Sequence, residues 1–134
     1  MKLFAKFFER RRLRRISERR ALMNRAIDWL EANPKHHIYG TYATDADGFK
    51  VSPGSASAKN FCALGRIARE ADLKGAYTTP PLRKFMADFG GAEAVRVITN
   101  LNDGYDGGHL EMPERLVQIR KYINAPLEGE PIHG

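Results

Sequence analysis

Cys62, within Asn60-Phe61-Cys62-Ala63-Leu64-Gly65, is the one thiol of the chain. A cysteine near a helix N-terminus can have a lowered pKa and act as a nucleophile. His36, His37 or His109 could then serve as base, with Asn102 or Asp103 as orienter, in a cysteine-hydrolase arrangement. Against that stand its neighbours Phe61, Ala63 and Leu64, which suit a cysteine packed as a small hydrophobe. Core packing is the default reading, and no catalytic residue is assigned. Asp45, Asp47, Asp103 and Asp106 raise the question of a metal. A calcium loop of the EF-hand type needs alternating oxygen ligands and a Glu at its twelfth position. Counting from Asp45, that position is Ala56. No metal and no cofactor are expected.

Other polar clusters read as structure first. Adjacent His36 and His37 point to opposite sides of an extended chain, so they chelate poorly and are expected in a surface turn. Gly104-Tyr105-Asp106-Gly107-Gly108-His109 lacks the spacing of a phosphate-cradling loop. Asn102-Asp103 follows the apolar run Val95–Leu101 and is expected to leave the core and fix a loop.

The charge is segregated. The chain of 134 residues carries a formal +6. Residues 1–20 hold nine Lys or Arg and two Glu, a net +7, which leaves 13 basic and 14 acidic residues elsewhere, a net −1. An ordinary soluble domain intersperses its charges. Leu3, Phe4, Phe7 and Phe8 share one helical face, and Arg10, Arg11, Arg12, Arg14, Arg15, Arg19 and Arg20 follow. Three readings compete. The arginines could neutralise nucleic-acid phosphates. The aromatic face with its polybasic run could meet an anionic membrane surface or a protein partner, such as a virion or assembly component. The arm could also be solvated, with its apolar residues tucked onto the body or a partner subunit. Contact of residues 1–20 with a polyanion, nucleic acid foremost, is the favoured expectation. Apolar before basic, and short, does not fit a secretory signal.

These residues require positioning elements. The length suits one domain, one cysteine cannot form an internal disulfide, and no eight apolar residues run together. The periodicities predict helices over Ser17–Ala32, from Ser55–Ser57 to about Leu73 with Gly75 as stop, from Thr79 to Gly90-Gly91, over Ala92–Thr99, and from Pro113 to Asn124. Ile38, Tyr39, Tyr42, Phe49 and Val51 around Asp45-Ala46-Asp47-Gly48 predict a β-hairpin near 37–51. The expected fold is mainly α (α+β with a minor element): a compact four- to five-helix domain with one short β-hairpin and an Arg-rich helical N-terminal arm. Its parts are an arm at 1–20, a domain at 21–126 and a flexible tail at 127–134.

Three blocks in order carry a resemblance: Gly40-Thr-Tyr-Ala-Thr-Asp-Ala-Asp-Gly48, Phe61-Cys-Ala-Leu-Gly65, and Asn102-Asp103 before a last helix. Over about Ala21 to Ile123 the chain resembles a family of short bacterial and bacteriophage proteins known only as a domain of unknown function. The resemblance implies a shared fold and a cytoplasmic bacterial or phage-encoded protein, and it carries no activity. The expected function is therefore that of a non-enzymatic accessory protein whose basic arm contacts a polyanion. The alternatives are a membrane-surface or protein-partner module using Leu3, Phe4, Phe7 and Phe8, or a thiol enzyme using Cys62.

Overall fold

The computed structural model describes residues 2–74, 79–105 and 109–130. Helix α1 spans Lys2–Ala32, followed by a 3-10 turn at Pro34–His36. Strand β1 (Ala43–Thr44) pairs antiparallel with β2 (Asn60–Phe61), in the register Ala43 with Phe61 and Thr44 with Asn60. Helices α2 (Ala63–Glu70), α3 (Thr79–Phe85), α4 (Ala92–Asp103) and α5 (Met112–Asn124) complete the fold, with a 3-10 turn at Ala87–Phe89. The fold is mainly α with one small β element, as the periodicities predict.

The helix predicted from Ser17 is continuous with the helical arm. Residues 2–32 contain no Gly or Pro and are rich in Ala, Leu, Arg and Glu, all strong helix formers, so one 31-residue helix forms. Its length is about 46 Å. Ile16, Met23, Ala26, Ile27 and Leu30 are buried along one stripe of it, against a core that includes Leu64, Ile67, Leu82, Met86, Ile98 and Ile119. Asn33 ends the helix, its Nδ2 donating to the Trp29 carbonyl at 2.8 Å.

Other boundaries move as well, and the helix predicted from Thr79 to Gly90-Gly91 ends at Phe85, with the 3-10 turn completing the stretch to Gly90. The partner of β1 is residues 60–61, not 49–51; within 43–51 only a Thr44–Lys50 bridge forms. Asp45 Oδ1 accepts from the Asp47 and Phe49 N–H groups, both at 2.9 Å, and this side-chain turn competes with a longer ladder. Phe49 is left exposed. Helix α2 begins at Ala63, because Ser55 and Ser57 satisfy each other in the loop and Asn60-Phe61 join the strand pair. It ends at Glu70, with Asp72 at φ +51° just beyond. The predicted stop, Gly75, lies outside the described residues. Helix α4 continues past Thr99 to Asp103, because Asn102 finds buried partners while remaining helical.

Four of the seven arginines assigned to nucleic acid are held by their own chain, as is part of the expected tail. Arg15 pairs bidentately with Asp88 at 2.6 and 2.9 Å. Arg19 donates to the Phe85 carbonyl at 2.8 Å and stacks over the Phe85 ring. Arg20 pairs with Glu130 at 2.6 and 2.9 Å and donates to the Ile123 carbonyl. Arg12 bonds Glu9 and the Glu128 carbonyl. The Arg20 hydrogen bond holds the Glu130 carboxyl down at about 2, and Arg15 holds Asp88 below the usual carboxylate range. A carboxyl with a depressed folded pKa contributes stability above its unfolded pKa and loses it as pH falls through the folded value. Urea titrations should therefore show an acid-labile contribution from Glu130 between pH 4.5 and about 2, missing in Glu130→Gln.

Candidate functional site

The side chain that organises the interior is Asn102, 1% exposed. Its Oδ1 accepts from the Ala63 N–H at 3.0 Å and lies 2.7 Å from His37 Nε2. Its Nδ2 donates to the Ile38 carbonyl at 3.0 Å and to Asp103 Oδ1 at 3.1 Å. Asp103 Oδ1 also accepts from the Gly40 N–H at 3.2 Å. One amide thus ties the last turn of α4 to the first residue of α2 and to the 37–40 segment. The Ala63 N–H marks this atom as the amide oxygen, which has no proton to give, so His37 Nε2 carries the proton of this contact.

His37 is 8% exposed, against the expected surface turn. His36 faces out to Asn60 Oδ1 at 2.9 Å from the 3-10 turn, and His37, the extended residue that follows it, faces in. Burial lowers the basicity of His37; the Asn102 contact opposes this and the Arg115 charge adds to it. His37 is therefore held as a neutral donor at pH 7.

Beside this network lies a cavity of about 350 Å³. Its lining includes Tyr42 and Lys50, Cys62 and Leu64 at the start of α2, and Asn102 and Asp103 at the end of α4. Gly65 makes the wall possible: a Cβ there would lie 1.8 Å from the Tyr42 carbonyl oxygen. An isolated Gly inside a helical pattern is the sequence signal for such an approach, and His37, Lys50 and Gly65 were all legible only as types, not as neighbours.

Cys62, Asn102 and Asp103 do converge, while His109 is exposed and lies outside this lining. Cys62 is the N-cap of α2, its Sγ accepting from the Gly65 N–H at 3.3 Å. Burial nonetheless pushes its thiol up to about 12, and the Asp103 charge adds to the rise. Desolvation outweighs the helix N-terminus, so the thiolate that a nucleophile requires is not populated near pH 7. Ellman's reagent should accordingly leave Cys62 unmodified in the native protein at pH 8 and titrate one thiol in denaturant. Among the described residues, no group of three His, Cys, Asp or Glu side chains is placed to hold a metal ion. Asp106 lies outside them.

A second candidate is the free end of α1. Leu3, Phe4, Phe7 and Phe8 are 85%, 70%, 54% and 61% exposed. Lys2, Lys6, Arg10, Arg11 and Arg14 are exposed as well, with Arg11 over the Phe7 ring. At about 100° per residue, the apolar arc is centred roughly 120° around the helix from the buried stripe. Lys2, Lys6, Arg10 and Arg14, four apart, form one row along the helix beside the apolar arc. Among the described residues, no helix is long and apolar enough to cross a membrane.

Comparison with protein-family models, curated proteins and solved structures finds no match to this chain.

Proposed function

We propose that the chain is a binding module rather than an enzyme, and that the free end of α1 docks it on an anionic membrane surface. The observation that carries this reading is the set of four large apolar side chains left more than half exposed beside five exposed cations. Phosphate contact alone gives those four side chains no role. At a lipid interface they enter the acyl boundary while the cations meet anionic headgroups. Each fully buried side chain of this size contributes about 1.5–3 kcal/mol and partial insertion proportionally less. Each Lys or Arg near an anionic surface contributes about 1 kcal/mol. The two contributions are comparable, so both are required. The angular offset of the apolar arc also keeps the body clear of the bilayer, since it lies sideways and away from the inserting face. With Arg12, Arg15, Arg19 and Arg20 turned to the body, nucleic-acid binding is left with fewer cations than the composition suggests.

Sedimentation with vesicles tests the reading. The full chain should bind phosphatidylserine-containing vesicles, at least about tenfold more tightly than pure phosphatidylcholine. Replacing Leu3, Phe4, Phe7 and Phe8 with Ala should abolish binding without changing the melting temperature, because none of the four is buried. Retention on duplex DNA that falls steeply with salt and survives those substitutions would return the arm to nucleic acid.

A further inference from the structure

We infer that the cavity beside Asn102 binds a small zwitterion of amino-acid size, with a primary ammonium on Asp103 and a carboxylate on Lys50. Two opposite charges line one cavity without closing on each other: among the described residues no ion pair joins Lys50 to Asp103. Asp103 is held in place before any ligand arrives. Its Oδ1 accepts from the Gly40 N–H and from Asn102 Nδ2, and Asn102 is itself fixed by His37 and Ala63. Its second oxygen has no partner among the described residues, which leaves an acceptor for a ligand N–H⁺ in a charge-assisted bond. Lys50 is exposed on a flexible stem, so its ammonium can follow a carboxylate at the mouth. The lining also includes Leu64 and the protonated Cys62 thiol, which suit an aliphatic side chain. A volume of about 350 Å³ holds a molecule of this size. A simple anion would leave Asp103 unmatched, and a simple cation would do the same to Lys50.

The test uses the full chain, ¹⁵N-labelled, titrated with L-leucine and two analogues. One is leucinamide, which lacks the carboxylate; the other is 4-methylpentanoate, which lacks the ammonium. Leucine should give saturable shifts at the Gly40, Thr41 and Cys62 amides, with each analogue at least about tenfold weaker. Lys50→Ala, at an exposed position that leaves the fold intact, should weaken leucine to the level of leucinamide and leave leucinamide itself unchanged. Asp103→Asn should weaken leucine and leucinamide together if it folds. Absence of saturable shifts overturns the proposal, as does 4-methylpentanoate matching leucine or Lys50→Ala binding leucine like wild type. Neither residue lies on α1, so failure here leaves the vesicle result standing.

Discussion

Gly65→Ala is expected to remove the cooperative unfolding transition or to lower stability by more than about 4 kcal/mol, the range reserved for backbone collisions and large core defects. The added methyl would lie 1.8 Å from the Tyr42 carbonyl oxygen and 2.7 Å from its carbon. Both are backbone atoms, so no rotamer change relieves the contact. Shifting α2 away would break the Cys62 N–H bond to the same carbonyl, at 3.1 Å, and draw β2 off β1. In an open helix the same change stabilises by about 1 kcal/mol. The sign of the effect therefore reads the contact directly. Urea unfolding followed by circular dichroism measures it, with Gly54→Ala as control: Gly54 has open space around its Cβ position and should change little.

Asn102→Ala carries the second large effect. Truncation strands the His37 Nε2 proton and the Ala63 N–H in the interior and takes a donor from the half-buried Ile38 carbonyl. Each unmatched buried group costs about 1–3 kcal/mol. Because relaxation and entering water recover part of this, a net loss of roughly 3–5 kcal/mol is expected. A double-mutant cycle with His37→Leu isolates the pair: a coupling of more than about 1 kcal/mol supports a direct bond, and additive losses would show that Asn102 acts through the backbone alone. The same variant should loosen the Gly40 segment, because Asp103 then loses one of the two donors that fix it.

How much of this could be read along the chain differs element by element. Helices α3 and α5 begin within a residue of where Thr79 and Pro113 place them, because proline in a first turn is a local signal. Cys62 was legible as a residue near a helix start packed among apolar neighbours, and it is both. The hairpin differs from the predicted one because the Asp45 turn and the strand propensity of Phe49 and Val51 point to a nearby partner. The partner that wins, Asn60-Phe61, is selected by burial of Phe61 against Trp29. Helix α4 runs beyond its predicted end because Asn and Asp favour loops when solvated, whereas here the Asn102 amide is fully matched inside the core.

Residue order alone determined a mainly helical chain and an Arg-rich N-terminal helix with an aromatic face, and it made core packing the default for Cys62 while leaving a thiol enzyme open. These follow from periodicity, proline and glycine punctuation and local charge, all of which act over a few residues. Only the tertiary structure decided which arginines remain available. Asp88 and Glu130 lie 73 and 110 residues from the side chains they engage. It also decided that His37, Ala63 and Asn102 meet, because hydrogen bonds across 39 and 65 residues depend on how whole helices pack. Pairing over such separations is a property of the closed core, and no local pattern encodes it.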